Sequence, residues 1–246
     1  MPALPLRTYR WKHLTSEFSD PEKREKLQIA TKALADELKL PLVLASILAY
    51  RGMHTPEEVR VFFHPTLDDL HDPYLMDGMA TAVQRLVSAL RQKELITIYG
   101  DYDVDGTNGT ALLLSFLRRV GASVQFYIPE RLKEGYGITR TGIDRARENG
   151  TTLLLAVDCG ITALDQVRYA RSIGMDVIIC DHHEPGAELP DAVAVLDPLK
   201  PNCRYPFKYL SGCGVAFKLI HALSLHEYVQ TILGGSSLEE LAEYLD

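Results

Sequence analysis

With 246 residues, 46% of them hydrophobic, the chain can bury one sizeable α/β core, alone or with an appended segment. Its net charge of -7 excludes a protein that coats nucleic acid through an overall positive field, though it leaves room for a local basic groove and suits bound divalent cations. Residues 1–12 carry no signal-peptide pattern, and no later run approaches the roughly 18 apolar residues of a membrane span. Secretion and membrane insertion are therefore not expected. Cys159, Cys180, Cys203 and Cys213 form no CxxC pair, which points to a reducing, cytoplasmic setting.

In chain order, Asp20-Pro21 opens a charged amphipathic helix to about Leu40, and Leu42 to Tyr50 reads as a second helix. Thr55-Pro56-Glu57-Glu58 has the cap, first-turn proline and acids of a short helix ending near Phe63, closed by His64-Pro65. Residues 66–76 read as a loop, and a helix follows from Met79 to about Gln92. The rhythm then changes. Strands are expected near 95–100, 123–128, 153–158, 176–180 and 192–197, with helices near 107–119, 139–149, 162–173 and 213–225. The alternation predicts an α/β fold with a mostly parallel sheet and helices on both faces. A helical N-terminal segment, residues 1–77, precedes it, and residues 78–246 form the α/β domain. Gly234 to Ser237 reads as a turn before a last helix capped by Ser237 ahead of Glu239 and Glu240.

Three of the strands run into acids: Asp101-Tyr-Asp103-Val-Asp105-Gly106, Asp158, and Asp181-His182-His183. In a parallel sheet these fall at the carboxyl edge, where ligands bind. One acidic turn after a strand is as easily a helix cap, but three on successive strand ends point to a site. Asp103 and Asp105 share it only where the backbone leaves strand geometry, which Gly106 permits. The helix expected from Thr107 would aim its N-terminus at phosphate. Carboxylate, imidazole and phosphate oxygens together suit Mn²⁺ or Mg²⁺ and phosphoester hydrolysis by two ions. His182 and His183 are adjacent, so from extended backbone they should point apart, one ligating and the other facing phosphate or a carboxylate. Asp181 is placed to orient an imidazole. His13, His54, His64, His71, His221 and His226 read as surface or packing residues.

Gly135-Tyr136-Gly137, preceded by Arg131 and Lys133, offers cations for phosphate and a ring for a base. Lys200 to Tyr209, with Arg204 and Lys208, offers a weaker basic patch.

These motifs resemble the DHH phosphoesterase superfamily, and within it the RecJ single-strand-specific exonucleases. The residues that carry the resemblance are GDYDVDG at Gly100 to Gly106, VDCGIT at Val157 to Thr162, DHHEPG at Asp181 to Gly186, SGCGVAFKL at Ser211 to Leu219 and YIPERLKEGYG at Tyr127 to Gly137. LAYRGMHTPEE and FFHPTLDDLHDP before them agree too. The resemblance implies metal ligation by Asp103, Asp105 and His182, a bridging Asp158, and Asp101 as a further ligand or outer carboxylate. It implies that His183 contacts the scissile phosphate with Asp181 behind it, and that Arg131, Lys133, Tyr136 and Gly137 contact the strand. The implied activity is Mn²⁺- or Mg²⁺-dependent degradation of single-stranded DNA from the 5′ end in recombination and repair. Single-strand-binding protein or a helicase is the candidate partner.

Two departures stand out. Asn108-Gly109 replaces the family's usual Thr-Ser or Thr-Gly pair, and the family's fourth, Ala-Asp-Val-Val-like motif would follow Leu245-Asp246. The expectation is an N-terminal part lacking that ligand, with weak metal binding or no activity by itself. Asp197, where the family often has asparagine, is a secondary candidate. The alternatives are a relative acting on oligonucleotides or cyclic dinucleotides, and a non-catalytic scaffold.

Overall fold

A computed structural model describes residues 20–235, which fall into two compact units divided after Leu70. The last helix expected after Ser237, the Leu245-Asp246 pair and His13 lie outside the described residues.

The first unit is helical. Helix α1 (Pro21–Leu38) starts where the Asp20 side chain accepts the Glu22 N–H at 3.0 Å with Pro21 at the first position, so an otherwise orphan amide is satisfied. Helix α2 (Leu42–Tyr50) follows, and α3 (Pro56–Phe63) opens on a reciprocal box in which Thr55 accepts the Glu58 N–H at 3.3 Å and the Glu58 carboxylate accepts the Thr55 N–H at 2.9 Å. Leu27, Leu34, Ala45, Leu48, Ala49 and Val59 form its core.

The second unit is a five-stranded parallel sheet in the order β2-β1-β3-β4-β5. Its elements run α4 (Met79–Gln92), β1 (Leu95–Gly100), α5 (Val104–Arg119), β2 (Ser123–Tyr127), α6 (Arg131–Glu134) and α7 (Arg140–Glu148). After them come β3 (Leu153–Val157), α8 (Leu164–Ser172), β4 (Asp176–Cys180), β5 (Ala194–Leu196), α9 (Gly212–Ser224) and α10 (Glu227–Leu233). β3 is apolar throughout and β4 is apolar after Asp176, because both faces are covered. Helices α5 and α9 pack on one face, where α4 meets α9 and β5, and α8 packs on the other beside α7. Tyr99, Leu154, Ala156, Val177 and Ile179 belong to the core beneath α7 and α8.

Four local differences from the sequence reading have physical causes. Helix α5 begins at Val104 rather than Thr107, because the Asp103 side chain accepts the Gly106 N–H at 3.0 Å and caps it earlier. The 66–76 loop contains two 3₁₀ turns, Leu67–Asp69 and Pro73–Leu75, the second capped by Asp72. The basic loop starts with the one-turn helix α6. Helix α10, which the sequence reading omits, is capped by His226, whose ring accepts the Tyr228 N–H at 3.1 Å.

Candidate metal centre

The strand order reverses between β1 and β3, since β1 leads outward to β2 while β3 starts the run to β5. That reversal opens a crevice at the carboxyl ends of β1 and β3. Gly100, Val157, Cys180 and Leu196, the last residues of β1, β3, β4 and β5, pair in a single register row. The next residue in each strand is an aspartate, so Asp101, Asp158, Asp181 and Asp197 form a row of acids along that edge, all four buried. Asp158 reaches its place through a left-handed backbone conformation, φ 60°, which a residue with a side chain rarely adopts.

Two groups of donor atoms converge here. Asp101, Asp103 and Asp158 each offer an oxygen within 4.8 Å of the others, and Asp158, His182 and His183 do likewise. Asp158 belongs to both. His182 Nε2 lies 3.1 Å from Asp158 Oδ1 and 3.5 Å from Asp105 Oδ2. The two imidazoles do not point apart as expected. Their ring centres are 4.6 Å apart, because the chain leaves strand geometry after Cys180 and the Asp181 carboxylate accepts both backbone N–H groups, at 2.8 Å from His182 and 3.3 Å from His183. That carboxylate also meets His183 Nδ1 at 2.7 Å and accepts the Ile161 N–H at 2.9 Å, so Asp181 orients His183 while fixing the turn that carries both histidines.

Asp105 belongs to neither group, although its Oδ2 lies 3.5 Å from His182 Nε2. Its oxygens accept the N–H groups of Gly212 at 2.6 Å and Cys213 at 2.7 Å, so the carboxylate is clamped on the first turn of α9. The clamp requires close approach, since a Cβ on Gly212 would fall 2.5 Å from Asp158 Oδ1.

The electrostatics are those of crowded carboxylates. Burial first, and then the charges of Asp105 and Asp103, raise the Asp158 pKa to about 8. Burial also raises Asp101, and takes Asp197 to about 6. Asp103 is lowered, chiefly by the Gly106 N–H it accepts. Burial opposes charge on His183, but the Asp181 carboxylate outweighs it and raises the pKa. Asp101 Oδ1 and Asp197 Oδ2 are buried without a hydrogen bond, as is Thr110 Oγ1 on α5, and the buried Asp158 Oδ1 has the His182 imidazole beside it.

Of the expected strand-binding residues, Tyr136 stands at the site, its hydroxyl 3.4 Å from His183 Nε2, with burial raising its pKa. Arg131 lies over the Tyr102 ring, 4.9 Å from its centre, and Tyr102 meets Tyr136 edge to face. Lys133 pairs with Glu130 at 2.7 Å, and the Gly137 carbonyl accepts the Tyr99 hydroxyl at 3.3 Å. The second basic patch is not present as such. Lys200 is buried, its ammonium on the Val195 carbonyl at 2.8 Å and the Asp77 carboxylate at 2.6 Å, and Lys208 donates to the carbonyls of Pro198 and Cys203. Both ammoniums are spent on backbone carbonyls rather than offered to solvent.

The profile of the DHH family, N-terminal domain, matches residues 95–244, which include every residue of this centre. The chain belongs to the DHH family. Among DHH relatives it is 44% identical over 216 residues to the single-stranded-DNA-specific exonuclease RecJ of Bacillus subtilis (strain 168), covering 88% of this chain. The structure of RecJ from Thermus thermophilus in complex with Mn²⁺ superposes with a TM-score of 0.64 at 31% identity, over 87% of this chain and 29% of that one. The Mg²⁺ complex from the same organism superposes with a TM-score of 0.54 at 28% identity, over 87% and 25%. The chain spans 27% of the length of the B. subtilis relative.

Three parts of this DHH centre escape a reading of strand ends: the Gly212 and Cys213 amides that hold Asp105, Thr110 beneath Gly100, and Tyr102 between the acids. A Cβ on Gly100 would meet Thr110 Oγ1 at 2.0 Å. The usable signal for the first was Ser211, which caps α9 by accepting the Gly214 N–H at 3.1 Å, followed by two glycines in three residues.

Proposed function

We propose that the chain carries the metal centre of a divalent-metal-dependent exonuclease that hydrolyses single-stranded DNA from the 5′ end in recombination and repair. The observation that carries this is the place of Asp158, shared by two donor groups at the topological switch point. Carboxylates and imidazoles without a thiolate, with a buried oxygen left unbonded on Asp101, fit Mn²⁺ or Mg²⁺. In this assignment Asp101, Asp103, Asp105, Asp158 and His182 would hold the ions, Asp158 serving both donor groups. When bound, two such ions supply an activated water and neutralise the phosphoryl oxygens of an in-line displacement.

The remaining work falls to the chain itself. Asp181 holds His183 at Nδ1 and favours its charged form, leaving Nε2 as a donor to a phosphate oxygen. Tyr136 keeps its phenolic proton and can donate beside it. Arg131 takes a phosphate and Tyr136 a base, with Lys133 and Gly137 in the same turn shaping the path. In functional terms the boundary between the helical segment and the phosphoesterase domain is placed between residues 77 and 78, and Pro73–Leu75 already packs against α4 and α9. The four free cysteines suit a reducing, cytoplasmic setting. The proposed substrate makes single-strand-binding protein or a helicase the expected partner.

Calorimetric titration of the full-length protein with Mn²⁺, followed by comparison of a long 5′-phosphorylated single strand with a dinucleotide, tests the reading. Mn²⁺ binding with preference for the long strand is expected. Preference for the dinucleotide would sink the substrate assignment, and absence of Mn²⁺ binding would sink the metal centre.

A further inference from the structure

The segment joining β5 to α9 runs over the same edge as the metal centre, from Asp197 in the acidic row to Ser211 at the cap of α9. Several bonds fix its shape. The Cys203 N–H donates to the Lys200 carbonyl at 3.1 Å, Lys208 Nζ donates to Cys203 at 2.8 Å and to Pro198 at 2.9 Å, and Tyr205 is buried. The outcome inverts what solvation alone would choose. Two lysine ammoniums face inward, while Phe207 is 47% and Tyr209 85% exposed. Their rings stand edge to face, 5.8 Å between centres at 76°. Arg204, on the same segment, is exposed.

Tyr209 precedes Gly212 by three residues, so their Cα atoms lie within roughly 11 Å. The Gly212 N–H is 2.6 Å from Asp105 Oδ2. An exposed aromatic pair is therefore held, by a braced loop, a few nucleotides' reach from the acids of the centre. Exposed rings on a segment that also carries a cation suit stacking on single-stranded bases, because every base offers a π-face while its phosphate needs a positive partner.

We infer that Phe207 and Tyr209, with Arg204, form a stacking platform for the bases of a single strand lying across the metal centre, separate from the Arg131–Tyr136 turn. This rests on the reading of the substrate as single-stranded DNA. It commits to nucleic acid as the occupant, in preference to a second copy of the chain.

The test is a fluorescence anisotropy titration of a 3′-labelled, 5′-phosphorylated oligothymidylate with the 246-residue protein, with divalent ions chelated so that no strand is cut. Tyr209→Ala is expected to weaken binding about tenfold and Phe207→Ala less, while Tyr209→Trp keeps wild-type affinity. Circular dichroism should not change, because both rings project into solvent. Wild-type affinity in both alanine variants would overturn the platform and leave the substrate reading standing. Equal weakening by Tyr209→Ala and Tyr209→Trp would also overturn it, since a stacked ring should be replaceable by another ring. Unchanged DNA affinity with an altered oligomeric state would assign the rings to a copy of the chain. A wild-type protein that binds no oligonucleotide would sink the substrate reading and the platform together.

Discussion

The two edges of the parallel sheet treat buried polar groups in opposite ways. At the amino edge, Arg85 donates to Asp176 at 2.6 Å and to Glu94 at 2.7 Å, Thr152 donates to Glu94 at 2.6 Å, and Thr97, Thr151 and Gln125 bond one another. At the carboxyl edge, oxygens of Asp101, Thr110 and Asp197 are buried without a hydrogen bond, and the buried Asp158 Oδ1 has the His182 imidazole 3.1 Å away, while no other side-chain atom among the described residues is left so. Leaving a buried polar atom unpaired costs about 1–3 kcal/mol. The fold therefore concentrates its unfavourable electrostatics at one edge and settles them at the other, as expected where cations are to complete the carboxyl edge.

The sharpest way to break this contrast is Asp158→Asn. Because Asp158 is common to both donor groups, Mn²⁺ affinity should fall by more than the roughly 10–100-fold typical of an outer-shell partner. Without metal at pH 9, where wild type carries the buried charge, the same variant should melt a few degrees higher. Calorimetric titration and thermal unfolding give both numbers, and an unchanged Mn²⁺ affinity would refute the shared role. Gly212→Ala comes next, with a loss of roughly 10–100-fold in Mn²⁺ affinity, since its Cβ would press 2.5 Å from Asp158 Oδ1 and loosen the Asp105 clamp. Alanine is the better helix former, so the loss would not reflect a weaker α9.

Arg85→Met tests the other edge. It takes the guanidinium from Asp176 and from Glu94, which keeps only the Thr152 hydroxyl, and should lower stability by about 1–3 kcal/mol. That corresponds to roughly 2–4 °C per kcal/mol in a chain of this size, with Mn²⁺ affinity unchanged. A drop in metal affinity as well would show that the edges are coupled rather than independent.

What the sequence made legible follows the same division. Strand-end acids can be read because a parallel strand buried on both faces is a plain apolar run, so its end is marked by the first charge, as at Asp101, Asp158 and Asp181. The cap at Asp20 and the Thr55–Glu58 box were readable because their partners are two or three residues away. The clamp on Asp105 was not, since its partners Gly212 and Cys213 are 107 and 108 residues distant and act through backbone N–H groups that any residue but proline possesses. The convergence of His182 and His183 was hidden because it depends on Asp181 capturing two successive amides. Lys200 and Lys208 misled for a related reason: composition reports a charge but not which carbonyls it will find.

The smallest expected effect is on pH dependence, and its sign follows from Asp158. Its carboxyl titrates near 3.8 in the unfolded chain and at about 8 in the metal-free fold. Between these values the folded state holds a proton that the unfolded state has released, so stability falls as pH rises, and the fall is complete above about 8. Neighbouring carboxylates add to or offset the slope, but a raised carboxyl can only tilt it this way. Bound Mn²⁺ displaces that proton, so the tilt should flatten by a few degrees across this window when metal is present. Calorimetry in two buffers of different ionisation enthalpy should show proton release on Mn²⁺ binding at pH 7 and little at pH 9. As little release at pH 7 as at pH 9 would mean that Asp158 is already ionised in the metal-free protein, and that the carboxyl edge is less strained than its buried oxygens indicate.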